Sequence, residues 1–212
     1  MDNKGFTVNT QIENGQIAKM QFPKKTSKKQ EFFEWLDVIV TALIAVVVIF
    51  SVFFRVATIS GDSMLDTLHS GERVIISNLA YTPKQGDIVV VSRNINNTIG
   101  GDSIDEGPII KRVIATENQT VDIDFETGQV FVDGIVLKEE YISSPTTDKR
   151  DIDFPVIVPK GCIFVLGDNR SVSLDSRSTL IGEEGMIDAR YVLGRAVFRV
   201  FPFDKFGRLD EK

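Results

Sequence analysis

Cysteine and histidine are almost absent from this sequence. Its 212 residues include one cysteine, Cys162, and one histidine, His69. A single cysteine excludes a disulfide framework and any zinc or iron–sulfur site that needs several thiolates. A single histidine excludes the usual multi-histidine metal sites. We therefore expect this protein to use no metal and no other cofactor.

An excess of positive charge is also lacking. Lysine and arginine number 24 against 30 aspartates and glutamates, which gives a formal net charge of −6. A chain with that balance has no basic surface of the kind that binds nucleic acid, so we expect no nucleic-acid partner. The hydrophobic fraction of 42%, with 25% charged residues, excludes a chain that is disordered throughout.

The charges are spread unevenly along the chain. Residues 1–35 carry six lysines against four acidic residues, whereas residues 55–212 carry 18 basic against 25 acidic residues. Between these two parts, Asp37 is the only charged residue. The pattern predicts a cytoplasmic basic arm without a stable fold, an apolar anchor and an acidic body, with bounds at 1–31, 32–54 and 55–212.

The apolar segment is long enough to cross a membrane. Val38–Phe54 holds 17 residues without a charge, and as a helix it would span about 26 Å of a hydrocarbon core about 30 Å thick. Trp35 and Leu36 extend it on the N-terminal side. A core helix of a soluble protein is rarely apolar on all sides over this length. We therefore predict one transmembrane helix.

A cleaved signal peptide is the main alternative for this segment. Such a peptide has a short basic start, an apolar run of about 7–15 residues and small residues at its cleavage site. Here the leader is 31 residues long, the apolar run exceeds that range, and Arg55 disfavours a cut after Ala57. A permanent anchor is favoured.

Charges on the two sides of the segment predict its orientation. Four lysines lie just before it, whereas only Arg55 and Arg73 follow within twenty residues. The positive-inside rule then places the N-terminus in the cytoplasm and residues 55–212 outside. The sequence predicts a single-pass protein of the cell membrane with an extracytoplasmic body.

The body has the pattern of a mostly β fold. Its short runs rich in β-branched residues are bounded by Gly, Asp and Pro turns, which favours strands. These runs are 73–76, 87–91, 109–114, 120–123, 129–132, 162–166 and 195–200. Asp133-Gly134 between two apolar pairs predicts a two-residue hairpin. No window beyond the anchor has a helical period.

Several reactive side chains have an ordinary structural explanation. A lone histidine near a turn is usually a surface residue, although His69 is only six residues from Ser63. Cys162 lies in an apolar strand, where a small buried thiol is expected. The alternating acids Asp122, Asp124 and Glu126 would share one solvated face of a strand, an interpretation that we prefer to a cation site.

Two segments interrupt the β pattern with dense polar residues. In Ser60–Leu68, Gly61 allows a tight turn that could present Ser63 with backbone amides nearby for an oxyanion. In Gly167–Arg177, eleven residues include two arginines, two aspartates and three serines. Such a loop needs internal hydrogen bonds and ion pairs to keep its shape.

Lys111 is the third unusual feature. It stands in the apolar run Ile109–Ile114, where alternation turns either Lys111 or Arg112 towards the core. A lysine in apolar surroundings has a lowered pKa and can take a proton from a serine hydroxyl. The alternative is an edge-strand lysine that points into water.

Taken together, the order of these segments resembles the bacterial type I signal peptidases, which are membrane-anchored serine proteases with a Ser/Lys dyad. The resemblance covers roughly residues 36–203 and includes the anchor, the serine segment, Gly86–Val90, the Lys111-Arg112 strand and the Gly-Asp-Asn-Arg loop. The short length and the single anchor resemble the Gram-positive members. The resemblance implies an antiparallel β-sheet or partial-barrel catalytic domain after the transmembrane helix.

The resemblance also implies roles for individual residues. Ser63 would be the nucleophile and Lys111 the general base, while Ser173 would hydrogen-bond to the lysine ammonium. Asp175 and Arg177 would form a supporting ion pair, and Asp168, Asn169 and Arg170 would shape the loop behind the dyad. The residues implied to line shallow apolar pockets for small substrate side chains are Ile59, Met64, Leu68, Ile109 and Ile110.

Two positions depart from the common pattern of this family. The serine segment usually reads Ser-Met-x-Pro-Thr-Leu, and here Asp66 stands where proline is expected. Gly61 stands where some members have a serine that helps to bind the oxyanion, so the oxyanion hole would depend more on backbone amides.

The resemblance implies cleavage of signal-peptide-bearing preproteins after Ala-x-Ala-like sites, in contact with membrane lipid and close to the export translocon. A self-cleaving repressor-type Ser/Lys protease is a second interpretation, but such proteins lack an anchor. A third is an inactive membrane-tethered scaffold, or a partner in pilus assembly, that kept the fold.

Overall fold

The computed structural model describes residues 28–79, 81–92 and 107–209. Residues 1–27, which form most of the predicted arm, lie outside the described part.

The N-terminal segment forms one long helix, α1, at Lys28–Phe53. Its stretch Lys28–Ser51 is long and apolar enough to cross a membrane, and the side chains of its apolar window are not buried by protein. A helix that leaves its apolar residues uncovered needs an apolar surrounding. The helix begins four residues before the predicted boundary at 32, and Phe54 already belongs to the first strand.

Within the described residues, the body consists of twelve strands and two short 3-10 helices. The strands are β1 (Phe54–Thr58), β2 (Arg73–Ser77), β3 (Ile88–Val91), β4 (Ile109–Thr116), β5 (Thr120–Asp124), β6 (Gln129–Val132), β7 (Ile135–Val136), β8 (Val156–Ile157), β9 (Cys162–Leu166), β10 (Ile187–Asp188), β11 (Val192–Phe201) and β12 (Gly207–Arg208). The 3-10 helices are Ala189–Tyr191 and Phe203–Lys205. Every run predicted as a strand overlaps one of these strands.

The strands form two antiparallel sheets. The larger has the order β1-β2-β11-β3-β4-β9-β10, with β12 added to β11, and the smaller has the order β7-β6-β5-β8. The long strand β11 pairs with β2 and with β3, and its register shifts in both pairings. Such bulges increase the local bend and twist, and the larger sheet curls into part of a barrel. The predicted fold class is confirmed.

The predicted hairpin joins β6 to β7. Asp133 and Gly134 both have positive φ, 52° and 77°, and Val132 pairs with Ile135 directly across the turn. A two-residue turn with positive φ at both positions matches the right-handed twist of the flanking strands, which is why Asp-Gly is favoured there.

Three clusters of buried apolar side chains form the core. All four residues of β3 are buried, so the larger sheet is covered on both of its faces at this strand. One cluster contains residues of β4, β5, β6 and β9 and joins the two sheets. Strand β4 pairs with β3, so it lies beside a part of the sheet that is covered on both faces.

Candidate active site

Ser63 lies on the segment 59–72 between β1 and β2, which we call the serine loop. Gly61 has φ +81°, a conformation that other residues rarely adopt. The backbone N–H of Asn169 donates to the Ser63 carbonyl oxygen at 3.0 Å, and the Asn169 side-chain amide donates to the Asp62 carbonyl at 3.1 Å. The loop that begins at Gly167 therefore holds the two peptide groups that flank the Ser63 side chain.

Lys111 reaches the serine from β4. Its side chain is almost fully buried, with the residue 3% exposed. Its Nζ donates to Ser63 Oγ at 2.8 Å and to the Ile110 carbonyl at 3.0 Å. A buried amine in contact with a serine hydroxyl is the arrangement that Ser/Lys chemistry needs, because the same contact can carry the proton in the reverse direction when the amine is neutral.

Alternation was expected to turn one of Lys111 and Arg112 towards the core, and the structure buries both. Arg112 is 5% exposed, nearly as buried as Lys111. Alternation does send the two side chains in different directions, but both directions lead into protein. The Arg112 guanidinium lies over the ring of Tyr141 and binds Asp168.

Asp168 connects the lysine strand to the serine loop. Its side chain is completely buried. It accepts two hydrogen bonds from Arg112, from Nε at 2.8 Å and from Nη2 at 2.6 Å, and one from Thr67 Oγ1 at 2.5 Å. Two parallel N–H···O bonds make the charge attraction directional. The pair therefore fixes the relative orientation of Arg112 and Asp168 in addition to attracting them.

Arg170 and Arg177 hold the loop 167–177 from within. Arg170 is 1% exposed and binds Glu139 through two hydrogen bonds, with a third to Thr146 Oγ1 at 2.5 Å. Arg177 binds Asp175 through Nε at 2.9 Å and also donates to the carbonyls of residues 148, 170 and 173. These buried cations satisfy backbone oxygens that would otherwise have no partner.

Ser173 does not make the expected hydrogen bond to Lys111. Its hydroxyl is fully buried and has no hydrogen-bond partner in the part of the chain that the structure describes. It lies next to Gly167, where an added Cβ would overlap the Ser173 hydroxyl and come within 2.5 Å of the Ser63 carbonyl oxygen. Ser173 is thus beside the serine loop, while the Lys111 ammonium binds Ser63 and Ile110.

The five apolar residues expected to line a cleft are placed differently from one another. Ile59, Met64 and Leu68 are at most 4% exposed and belong to a core cluster with side chains of β2, β3 and β11. Ile109 and Ile110 on β4 are half-buried. Of the five residues, Ile109 and Ile110 are the ones that are appreciably exposed to solvent.

The other reactive groups contact neighbouring residues that have no part in the proposed site. His69 Nδ1 lies 3.6 Å from Glu72. Burial, and then the charges of Asp188 and Glu183, raise the pKa of the Cys162 thiol, which disfavours the nucleophilic thiolate. Asp124 accepts hydrogen bonds from Thr127 and Glu126 within its own turn, and these bonds lower the pKa of its carboxyl.

Residues 28–79, 81–92 and 107–209 contain no group of three His, Cys, Asp or Glu side chains that could hold a metal ion.

Sequence reasoning missed three residues of this site. Thr67, Glu139 and Tyr141 contact the buried charges Asp168, Arg170 and Arg112. Thr67 has a sequence signal, because it belongs to the serine segment. Glu139 and Tyr141 have none, because they lie in the charged stretch after the predicted hairpin, which has no strand pattern.

A family model and the relatives found by sequence agree on one family. The family model described as signal peptidase, peptidase S26, matches residues 32–201. A signal peptidase I of Bacillus licheniformis is 33% identical over 197 residues, which cover 88% of this chain and 98% of the relative. A probable signal peptidase I-1 of Synechocystis sp. is 37% identical over 155 residues, 71% of this chain and 73% of the relative. A crystal structure of a signal peptidase I from Enterococcus faecalis V583 matches at 25% identity and a TM-score of 0.39, covering 54% of this chain and 97% of that one.

Proposed function

This chain belongs to the signal peptidase family, peptidase S26, and on that premise we propose that Ser63 is its nucleophile and Lys111 its general base. It is a membrane serine endopeptidase that removes signal peptides. The observation that carries the assignment is the 2.8 Å contact between Lys111 Nζ and Ser63 Oγ at a buried position.

The reaction proceeds through an acyl-enzyme. Neutral Lys111 takes the hydroxyl proton of Ser63, and the oxygen attacks the scissile carbonyl to give a tetrahedral intermediate. The protonated lysine then delivers the proton to the leaving amine, and the mature protein departs. The lysine next takes a proton from water, which attacks the ester; it then returns that proton to Ser63 Oγ as the signal peptide leaves with a new carboxyl group.

Backbone amides stabilise the developing oxyanion. Gly61 carries no hydroxyl that could serve this purpose, and the Ser63 N–H is the donor proposed here. Asn169 binds the carbonyl oxygens of Asp62 and Ser63, which fixes the peptide planes of the loop before the substrate arrives. Donors that are held in place in advance need no reorganisation during the reaction.

The substrate binds as an extended strand beside β4. Strand β9 pairs with β4 only from Arg112 onwards, so Ile109 and Ile110 precede the part of β4 that pairs with β9. A peptide there would form backbone hydrogen bonds, with alternate side chains turned towards the protein. The half-buried Ile109 and Ile110 form shallow apolar surroundings, which suit the small side chains of an Ala-x-Ala site.

The body acts at the outer surface of the cell membrane. Lysines 24, 25, 28 and 29 precede or begin α1, so the positive-inside rule keeps the N-terminus in the cytoplasm. Phe201, Phe203 and Phe206 near the end of the chain are exposed and suit contact with lipid at the interface. Because the preprotein's signal segment lies in the same bilayer, shared anchoring near the export translocon raises its effective concentration.

Cleavage of a labelled preprotein by the detergent-solubilised full chain tests the dyad. We expect Ser63→Ala and Lys111→Ala to abolish cleavage while their circular dichroism spectra stay native. Matched exposed controls, Ser70→Ala and Lys160→Ala, should cleave at the normal rate. Mass analysis of the products locates the cut, and a serine-acylating probe should label the parent but not Ser63→Ala.

Full activity of the Lys111→Ala protein would overturn the assignment of the base. A parent protein that neither cuts the preprotein nor reacts with the probe would instead indicate a scaffold without catalytic activity.

A further inference from the structure

Tyr141 supports a buried cation next to the proposed dyad. It lies between β7 and β8, and the Cζ atom of Arg112 is 3.9 Å from the centre of its ring. A guanidinium above an aromatic ring is attracted by the negative face of the ring, and the attraction is strongest where water is excluded. Arg112 is 5% exposed, so this contact is nearly dry.

The other contacts of Arg112 lie in the plane of its guanidinium group. Nε and Nη2 donate to Asp168, and Nη1 donates to the Gly86 carbonyl at 2.9 Å. These bonds hold the edges of the group, whereas the Tyr141 ring holds one of its faces. Without the ring, the guanidinium could tilt about the axis of its bidentate pair with Asp168.

A tilt of Arg112 would affect the segments that carry both Ser63 and Lys111. Asp168 also accepts a hydrogen bond from the Thr67 hydroxyl at 2.5 Å. Thr67 is four residues after Ser63 on the serine loop. In the chain, Arg112 directly follows Lys111 on β4. One guanidinium thus connects the strand that carries Lys111, through Asp168 and Thr67, to the loop that carries Ser63.

We propose that Tyr141 is a positioning residue for the cleavage reaction: its ring orients Arg112 and thereby keeps Ser63 aligned with Lys111. This inference rests on the proposed roles of Ser63 and Lys111. A small displacement of reacting groups lowers the rate steeply, because productive attack needs close and directed contact.

The hydroxyl and the ring of Tyr141 have separate partners, which makes the proposal testable. The hydroxyl donates to Glu139 Oε1 at 3.1 Å. Burial raises the pKa of the phenol, and the Glu139 charge adds to this effect, so the hydroxyl is neutral at physiological pH. Removal of the hydroxyl tests the bond to Glu139, and removal of the ring tests the support of Arg112.

The experiment compares Tyr141→Phe with Tyr141→Leu in the solubilised full chain, with kcat and KM measured on a labelled preprotein. The Phe variant keeps the aromatic face, and we expect its kcat to stay within about threefold of the parent. The Leu variant should lose about ten- to a hundredfold in kcat with little change in KM, because alignment and not substrate binding is impaired.

A series of fluorinated phenylalanines at position 141 isolates the electrostatic effect of the ring. Each added fluorine weakens the negative face while the shape changes little, so kcat should fall progressively from phenylalanine to the trifluoro derivative. This series also decides the question if the Leu variant does not fold. A merely structural role of the ring would leave kcat independent of the number of fluorines.

Equal kcat in the Phe and Leu variants, or in all members of the fluorinated series, would overturn the inference. Ser63→Ala and Lys111→Ala, measured in parallel, separate this failure from failure of the proposed function. If those two variants still cut the preprotein, the dyad is wrong. If they are inactive and Tyr141→Leu cleaves normally, the dyad stands and Tyr141 has no positioning role.

Discussion

Lys111 Nζ donates a hydrogen bond to Ser63 Oγ at 2.8 Å, although 48 residues separate the two in the chain. The contact forms because β4 carries the lysine through the middle of the larger sheet, while the loop from Gly167 holds the serine backbone against it. Lys111 is 3% exposed, so the contact between the proposed base and the proposed nucleophile is largely shielded from water.

The Lys111→Arg variant tests whether Lys111 acts as a proton acceptor or only supplies a positive charge. Arginine keeps the positive charge and the hydrogen-bond donors, but it stays protonated at any accessible pH. We expect about a 10²–10⁴-fold loss in kcat, which is the usual contribution of a general base. The measurement is cleavage of a labelled preprotein, with Lys160→Arg as an exposed control. Retention of more than a tenth of the activity would contradict the role of base.

The Asp168→Asn variant should be strongly destabilised. It leaves the buried Arg112 charge without its counter-ion, and such a change costs about 3–5 kcal/mol of the free energy of unfolding. For a body of this size that corresponds to a decrease in Tm on the order of 10 °C. The check is thermal unfolding followed by circular dichroism.

The matched control for Asp168 is Asp153→Asn, which breaks the exposed pair between Asp153 and Lys149. Exposed pairs contribute little, because water and salt screen them. We expect no resolved change in Tm for the control. Equal shifts in the two variants would show that burial of the Arg112–Asp168 pair is unimportant for stability.

The Gly167→Ala variant should impair catalysis. The new methyl group would overlap the Ser173 hydroxyl and come within 2.5 Å of the Ser63 carbonyl oxygen, so the serine loop has to move. Gly207→Ala is the control, because a Cβ there meets nothing within 4 Å. We expect kcat on the preprotein to fall by about tenfold or more in the first variant and to stay normal in the second. Normal cleavage by Gly167→Ala would show that the loop tolerates this displacement.

Cys162 should be slow to alkylate and dispensable for activity. Burial and the nearby carboxylates Asp188 and Glu183 raise the pKa of its thiol, and only the thiolate reacts with iodoacetamide. At pH 8 the labelling rate should be below that of free cysteine, and it should still increase with pH above the ordinary cysteine pKa. Mass spectrometry follows the labelling, and loss of cleavage in Cys162→Ser would contradict this prediction.

Much of the fold could be predicted because its signals are local. Short β-branched runs favour strands whatever their partners, and Asp133-Gly134 favours a mirror-image turn by its backbone preference alone. The two-residue strands β8, β10 and β12 escaped prediction because a strand that short has no period of its own. They form where a longer strand offers free hydrogen-bonding groups.

Some residues of the candidate site could likewise be predicted from the sequence, and others could not. Ser63, Lys111 and the polar loop 167–177 stand out because such residues interrupt an apolar β pattern. The partners Glu139 and Tyr141 do not, because their significance depends on buried arginines 31 and 29 residues away. The burial of both Lys111 and Arg112 was also unpredictable, since alternation along one strand does not reveal that both faces of the sheet are covered.

By itself, then, the sequence determined the apolar helix and the mostly β body, because charge, apolar length and backbone preference are local properties. The proposed roles of Ser63 and Lys111 came from the resemblance of several such segments, in their order, to one family. The tertiary structure decided which polar groups meet: Lys111 with Ser63, Arg112 with Asp168, and Ser173 beside Gly167 without the expected bond to the lysine. Those pairings depend on how distant segments pack around the curled sheet. Packing at that range is set by the whole chain and not by any one motif.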